Sequence, residues 1–180
     1  MKISKLVKLI AIGAALTHLV GCASPANKDE MTPKDIVVAQ KFNSSVQVKT
    51  AGGAETGAMD GTNISDADLQ AAIEQAISNT ELFSKVVQVG NANYVLAVSI
   101  TSLSKPMFGL TFTVNLETTW SLTNVATKKV EMRKVVSSSG TATFSDAAIA
   151  VGRLQIAVER AAKENISQGL TDVSNLNLKR

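Results

Sequence analysis

The chain has 180 residues, of which 45% are hydrophobic, and its 18 Lys and Arg residues against 15 Asp and Glu give a formal net charge of +3. This length and apolar content predict one domain with a core of its own. A single Cys excludes an intrachain disulfide, so the fold depends on that core alone.

Residues 1–21 predict a secretory signal peptide. Three lysines lie among the first eight residues, and residues 9–21 then carry no charge. That run is too short for a membrane span, which takes roughly 20 residues, whereas a basic start and a short apolar run are typical of a signal peptide. It ends in LVGC, which resembles the lipobox of bacterial lipoproteins. The resemblance implies cleavage between Gly21 and Cys22 and acylation of Cys22; the alternative is a buried cysteine near an ordinary cleavage site.

The residues after the lipobox indicate the destination of such a lipoprotein. More than one acyl chain on Cys22 gives stable anchoring to a membrane. Ala23 and Ser24 follow the cysteine, whereas an acidic residue there tends to retain lipoproteins at the inner membrane. The expected location is therefore the outer membrane, with the domain facing the periplasm.

Removal of the signal peptide changes the charge balance. The excess of three basic residues lies entirely in that segment, and so does the only histidine, His18. The mature chain is then close to neutral, without the basic stripe of a nucleic-acid binder. Without histidine, and with its cysteine acylated, it lacks the side chains for Ser-His or Cys-His catalysis and for ordinary zinc sites.

Residues 22–35 predict a lipidated cysteine followed by a flexible tether, because they are polar and contain Pro25 and Pro33. A single domain is expected over residues 36–172. A short strand is predicted within residues 35–42, and Val46 and Val48 then lie on one face of a first main strand.

The first long helix is predicted to begin at Ser65. Asp68 stands three residues later, which resembles a capping box with Asp in place of Glu or Gln. Apolar residues then recur at helical spacing and place one face of the helix on a core. The members of this stripe are Leu69, Ala72, Ile73, Ala76 and Ile77, and Leu82, Phe83 and Val86 are predicted to close the helix.

Three strands are predicted next. Residues 94–103 are rich in strand formers and indicate a largely buried strand. Between residues 108 and 122 apolar residues occupy even positions, interrupted only by Thr118, which predicts a long antiparallel strand with one buried and one solvated face. A third strand is predicted over residues 130–138.

A final helix is predicted after residue 145, with Ser145 or Asp146 as its cap. Residues 173–180 are expected to fray. The apolar stripe comprises Val151, Leu154, Val158, Ala162, Ile166 and Leu170, and the solvent-facing residues are Arg153, Glu159, Arg160, Lys163 and Glu164.

Together these elements predict an α+β fold. The expected architecture is an antiparallel sheet of about four or five strands with two amphipathic helices on one face, in the order β-α-β-β-β-α.

A glycine-rich stretch over residues 50–65 raises the question of a phosphate-binding loop, because strand, glycine loop and helix follow one another there. Gly52 and Gly57 have the Walker spacing, but Ala58 and Met59 stand where Lys and Ser or Thr are required. We therefore expect a connecting loop, with no nucleotide and no other cofactor.

Two further catalytic patterns are weak. Ser102 and Lys105 match a Ser-x-x-Lys motif, but they precede Pro106 at the end of a strand, and the companion Ser-Asp-Asn and Lys-Thr-Gly motifs are absent from the sequence. A carboxylate pair could serve a glycosidase, but all candidates are expected on loops or on a solvated strand face. These candidates are Glu55, Asp60, Glu117 and Glu131.

The solvated face of the long strand is the candidate interaction surface. It is rich in hydroxyl groups, which predicts either plain solvent exposure or docking of another envelope protein. Its members are Thr111, Thr113, Thr119 and Ser121. Phe112 and Trp120 have the opposite phase and are predicted in the core rather than in a ligand groove.

Most of residues 36–170 resemble the YajG-like family of small Gram-negative lipoproteins. The resemblance is carried by the lipobox, by SVQVKTAGGAET, DLQAAIEQAISNTELFSKV and ANYVLAVSI, by the long alternating strand, and by a C-terminal helix beginning FSDAAIAVGRL. It implies a fold and a location rather than an activity. More distantly, the layout resembles lipoproteins that assist envelope assembly and transport.

The expected function is that of a non-enzymatic outer-membrane lipoprotein, anchored by its acyl groups, that binds another envelope protein. The alternative is an auxiliary protein that binds a lipid or small ligand between its helices and the alternating strand. A hydrolase that uses carboxylates is the third possibility.

Overall fold

The computed structural model describes residues 23–57 and 60–178. The signal peptide and Cys22 therefore lie outside the described residues. In chain order the elements are α1 (Lys28–Met31), β1 (Phe42–Ala51), α2 (Asp66–Thr80), β2 (Phe83–Val86), β3 (Tyr94–Ser104), β4 (Phe112–Asn124), β5 (Val130–Ala142) and α3 (Ala150–Ser174).

The five strands form one mixed sheet in the order β2-β1-β3-β4-β5. β3, β4 and β5 are antiparallel neighbours, as predicted. β1, however, runs parallel to both β2 and β3, so the prediction of a wholly antiparallel sheet is wrong. Helix α2 provides the crossover that brings β2 back in the direction of β1, which a two-residue turn could not do.

The sequence reading missed β2 because its apolar residues also fit the helical period. Helix α2 ends before them: Glu81 adopts a left-handed conformation, with φ of 51°, and its N–H caps the last helical turn. Leu82 is buried beyond this cap, and Phe83 begins the strand. The predicted start is confirmed, since Ser65 Oγ accepts a hydrogen bond from Asp68 N at 3.1 Å.

Helices α2 and α3 pack on the same face of the sheet, as predicted. The inward side chains of adjacent strands are in register, for example Leu96 of β3 beside Leu122 of β4 and Val98 beside Trp120. All four are fully buried in one hydrophobic cluster that also contains the apolar stripes of both helices. Gly169 of α3 lies directly on the Trp120 indole, where a side chain would have no room.

A small polar network lies within this core. Thr118, the residue that interrupts the apolar face of β4, donates to Asn165 Oδ1 at 2.6 Å, and the Trp120 indole N–H donates to Thr118 Oγ1 at 2.9 Å. Asn165 Nδ2 donates to the carbonyl oxygen of Val136 on β5 at 3.1 Å. The network joins α3 to both strands and gives buried polar groups their partners.

Two predicted boundaries differ from the structure. β4 begins at Phe112 rather than near residue 108, because Phe108 and Leu110 lie in an exposed connection. α3 begins at Ala150 after Ile149, which makes no side-chain capping bond. The predicted cap, Asp146, instead accepts hydrogen bonds from Thr143 in the preceding turn.

Two residues of α3 that were predicted to face solvent are buried. Arg153 is 4% exposed and Glu159 is 7% exposed. Glu159 is covered by the N-terminal segment, because its Oε1 accepts from the backbone N–H of Asn27 at 2.9 Å. Helical periodicity alone could not show that a second segment packs on this side of α3.

The chain ends also differ from the predictions of a flexible tether and a frayed tail. Ala26, Met31 and Pro33 are buried, so residues 24–33 pack on the domain instead of moving freely. Near the other end, Val173 is buried and Ser174 Oγ accepts from Ala39 N at 3.0 Å.

Candidate functional site

The second face of the sheet is not covered by the long helices. On this face Thr113 lies beside Thr141, Thr119 beside Val135 and Ser121 beside Arg133, so that β4 supplies hydroxyl groups and β5 a mixture of hydroxyl, apolar and charged side chains. The hydroxyl oxygens of Thr113 and Thr141 are 2.9 Å apart. This uncovered face is rich in hydroxyl groups.

The residues of the predicted interaction surface fall into two groups. Thr113, Thr119 and Ser121 lie together on the uncovered face of β4, where Thr113 is exposed and the other two are half-buried. Thr111 is exposed but precedes the strand. Phe112 and Trp120 are buried, which confirms their prediction as core residues.

Strand β5 borders this face as the long edge of the sheet. Its first half carries Glu131, Arg133 and Lys134, which are the kind of charges that protect an edge, whereas residues 135–142 read VVSSSGTA and carry none. The opposite edge, β2, has only four residues. β5 is therefore the edge on which another strand would have the most room.

The orientation of the β5 backbone follows from one contact. The carbonyl oxygen of Thr141 accepts from Arg160 Nη1 of α3 at 2.6 Å, so this carbonyl points away from β4. Backbone groups alternate in direction along an antiparallel strand, so those of Ser139 and Ser137 also point outward. Arg160 thus covers one end of the edge and leaves the serines uncovered.

An open groove of about 810 Å³ follows this edge. It is lined by Ser137, Ser139 and Thr141 of β5, by Asn115 and Glu117 of β4, and by Arg160, Glu164 and Gln168 of α3. The sequence reading missed the groove because its two walls lie more than twenty residues apart. The uncharged run 135–142 was the signal that could have indicated it.

One ion pair fixes the arginine of this groove. Arg160 Nη2 donates to Asp146 Oδ1 at 2.7 Å, and both the N–H and the hydroxyl of Thr143 donate to the other carboxylate oxygen. The hydrogen bond from Arg160 and those from Thr143 hold the pKa of Asp146 well below its usual value of 3.8. The pair orients the guanidinium towards the end of β5.

We expect the contribution of Asp146 to stability to disappear in acid. Its pKa is lower in the folded than in the unfolded chain, so the unfolded chain takes up the proton first, and stability is lost as the pH falls below about 4. The difference in melting temperature between the wild type and Asp146→Asn should therefore be constant near neutral pH and should shrink in this acid range. A difference that does not change with pH would contradict the role of the pair.

The glycine-rich stretch forms the predicted connection between β1 and α2. Gly52 has a left-handed φ of 81°, and its α-carbon lies against the backbone of Ile100. The N–H of Gly53 donates to Asp66 Oδ1 at 2.8 Å and that of Gly57 to Asp60 Oδ2 at 3.2 Å. The chain's own carboxylates thus occupy amides that a phosphate would need. Ala58 and Met59 lie outside the described residues.

Glu117 and Glu131, the two candidate carboxylates on strands, do not come together as a pair. Glu117 is opposite Ser137 in the sheet, so Glu131 lies six residues further along β5, roughly 20 Å away. Glu131 is paired with Lys129 at 2.6 Å, and Glu55 and Asp60 are exposed in the loop before α2. A separation of roughly 20 Å exceeds the ~5–10 Å between the two carboxylates of a glycosidase.

Within residues 23–57 and 60–178, no group of three or more His, Cys, Asp or Glu side chains is arranged to hold a metal ion. In the same part of the chain, no helix has the length and apolar character needed to cross a membrane.

Comparison with known proteins shows a shared fold. The sequence matches no protein-family model and no curated relative. Protein XCC0632 from Xanthomonas campestris, of family DUF330, superposes with a TM-score of 0.51 at 14% identity, over 84% of this chain and 90% of that one. Protein CT253 from Chlamydia trachomatis gives 0.54 at 8% identity, over 76% and 96%.

A minor lipoprotein from Acinetobacter baumannii is also similar. It gives a TM-score of 0.47 at 9% identity, over 73% of this chain and 94% of that one. This likeness is too low to carry an inference about function.

Proposed function

We propose that the chain is a non-enzymatic, lipid-anchored protein of the outer membrane whose periplasmic domain binds another envelope protein along β5. The observation that carries this proposal is the long β5 edge, whose second half has no charge and in which Ser137 and Ser139 turn their backbone groups outward. An extended segment of a partner can add to such an edge through main-chain hydrogen bonds.

The surroundings of the edge supply specificity. Side chains of an added strand would alternate between the uncovered sheet face and the groove beside α3. On the groove side they would meet Arg160 and Glu164, which offer one charge of each sign. On the sheet face they would meet small hydroxyl side chains such as Thr113 and the exposed apolar group of Val135.

The anchor rests on the sequence. The lipobox and the acylation of Cys22 lie outside the described residues, and the YajG-like resemblance belongs to the same proposal. The uncharged Ala23-Ser24 pair supports the outer rather than the inner membrane. Together they support a domain at the periplasmic surface, where envelope proteins would be available as partners.

The alternative, a carrier of lipid or a small ligand, requires space between the helices and the sheet. That space holds fully buried side chains, among them Trp120, Leu116 and Leu170. The indole of Trp120 lies against the backbone of Gly169, so the two layers are in direct contact. The structure therefore gives the carrier no specific support.

Crosslinking in cells tests the docking edge. A photoreactive benzoylphenylalanine at Thr113, beside β5, is expected to give one dominant adduct with an envelope protein. The same residue at Gln75, exposed on α2, is the matched control and should not give that adduct. Adducts with lipid alone, or equal adducts from both positions, would contradict docking at β5.

A second variant makes the test specific for main-chain pairing. Ser139→Pro removes an outward-facing N–H without removing a bond to β4, which is the position where a strand tolerates proline. We expect this variant to lose the Thr113 adduct, whereas Ser139→Ala should retain it. Retention of the adduct in a folded Ser139→Pro protein would show that the partner does not pair with this edge.

A further inference from the structure

One end of the domain carries a cluster of exposed apolar side chains. Met107, Phe108 and Leu110 are 74–85% exposed in the β3–β4 connection. Phe144 and Ile149, in the connection from β5 to α3, are 61% and 74% exposed. We call these five residues the apolar tip. Large apolar side chains exposed together mark an interaction surface, because water is a poor solvent for them.

Arg153 holds the two connections of the apolar tip together. Its Nη1 donates to the carbonyl oxygens of Ala147 and Ala148 at 2.9 and 2.8 Å, and its Nη2 donates to that of Gly109 at 3.4 Å. The guanidinium lies 5.7 Å from the centre of the Phe144 ring. The tip is therefore built on one buried side chain of the first turn of α3.

The N-terminal segment runs along α3 and leads back to this end. The carbonyl oxygen of Pro25 accepts from Gln155 at 3.3 Å, Asn27 N donates to Glu159, and Ala39 N donates to Ser174. Higher residue numbers in the segment thus meet later turns of α3. From Ala39 back to Pro25, the N-terminal segment therefore approaches the start of α3, which follows Ile149.

The loop before α2 attaches this segment to the tip. Thr62 Oγ1 donates to the carbonyl oxygen of Ser24 at 2.9 Å, and Lys105 Nζ donates to the carbonyl oxygen of Thr62 at 3.0 Å. Lys105 stands two residues before Met107. Its partial burial in these contacts lowers the pKa of the ammonium group, and the charge of Asp60 acts in the opposite direction.

The remaining distance to the anchor is short. Only two residues of chain lead from Ser24 to Cys22, and they span at most about 7 Å. An acyl chain on Cys22 would therefore hold this end of the domain at the lipid surface, with no free tether between them. The apolar tip would have to meet the membrane.

We propose that the apolar tip inserts into the membrane interface and orients the domain, a proposal that rests on the acylation of Cys22. Apolar side chains on an anchored protein enter the boundary between headgroups and acyl chains, to a depth of ~5–10 Å. Insertion of the tip would orient the long strands away from the membrane surface. The β5 edge would then extend into the periplasm.

Bromine quenching of a tryptophan tests the depth of the tip. Full-length acylated protein carrying Phe108→Trp is bound to vesicles of phosphatidylethanolamine and phosphatidylglycerol, with and without brominated acyl chains. The native Trp120 is fully buried and supplies a constant background. We expect brominated lipid to remove most of the emission that the new tryptophan adds.

Val89→Trp is the matched control. Val89 is 88% exposed, close to the 85% of Phe108. It precedes Tyr94 at the start of β3, and the 11 residues of that strand, Tyr94–Ser104, span roughly 33 Å. Its emission should be the same with both lipids.

The outcomes separate the two proposals. If mass spectrometry shows no acyl group on Cys22, the anchor is wrong, and the tip proposal and the membrane location of the proposed function are both overturned, whereas docking at β5 is decided by the crosslinking experiment. If the acylated protein binds the vesicles but neither tryptophan is quenched, only the tip proposal is overturned. A blue-shifted Phe108→Trp emission without quenching would likewise overturn it, since the tip would then contact another protein copy.

Discussion

Replacing Gly140 with alanine is expected to lower the free energy of unfolding by about 3 kcal/mol. A Cβ at this position of β5 would lie 2.2 Å from the carbonyl oxygen of Ala157 and 2.3 Å from the backbone N of Ala161. Both atoms belong to the backbone of α3, so no side chain can rotate away. The helix would have to move off the strand, and the contacts around it would be lost.

Gly152→Ala is the matched control within the same helix. An added Cβ there meets only Ala147 Cβ at 3.4 Å, an ordinary contact. Alanine also favours a helix over glycine by about 1 kcal/mol, so this variant should be slightly stabilised. Denaturant unfolding of both variants measures the difference. Equal stability of Gly140→Ala and the wild type would show that α3 does not lie so close to β5.

The sequence predicted correctly those elements that have a clear local signal, such as hydrophobic alternation in a strand or a capping residue at the start of a helix. The even-numbered apolar residues of β4, from Phe112 to Leu122, point into the core as predicted. The cap at Ser65 is also confirmed. These features are local, because each depends on residues within one element and on one neighbouring layer.

The missed features depend on distant parts of the chain. A run such as Phe83–Val86 has both a helical and a strand interpretation, and its pairing with β1 decides between them. Glu159 is polar and has the helical phase of a surface residue, but the segment at Asn27 covers it. No property of either residue alone indicates its partner.

The candidate site shows the same limit. The alternation of apolar and polar residues along β4 predicted its hydroxyl-rich face. The structure places Thr113 and Thr119 on the uncovered side of the sheet. The importance of the β5 edge could not be read in this way, since it requires the strand order. Once that order is known, the uncharged run 135–142 distinguishes this edge from β2.

Replacing Asn165 with alanine is expected to destabilise the domain by about 3 kcal/mol, because it removes one hydrogen-bond partner from each of several buried polar groups. Its Oδ1 accepts from both Thr118 and the Trp120 indole, at 2.6 and 3.2 Å. Its Nδ2 donates to the Val136 carbonyl and to Ser138 Oγ. Asn115→Ala, at an exposed position on the other face of β4, is the control and should have little effect.

The same substitution connects stability with the docking edge. Val136 and Ser138 belong to β5, so Asn165 fixes the inner side of the strand whose outer side is proposed to bind a partner. Thr118→Val removes the hydroxyl of the network at nearly constant volume, and in combination with Asn165→Ala it should cost less than the two changes summed, by about 1 kcal/mol. Denaturant unfolding of the four proteins measures this coupling, and strictly additive changes would show that the groups act independently. If they are coupled, hydrogen exchange at Val136 and Ser138, whose backbone groups face β4, should accelerate in Asn165→Ala more than exchange in β1, because β5 is then held to α3 by fewer bonds.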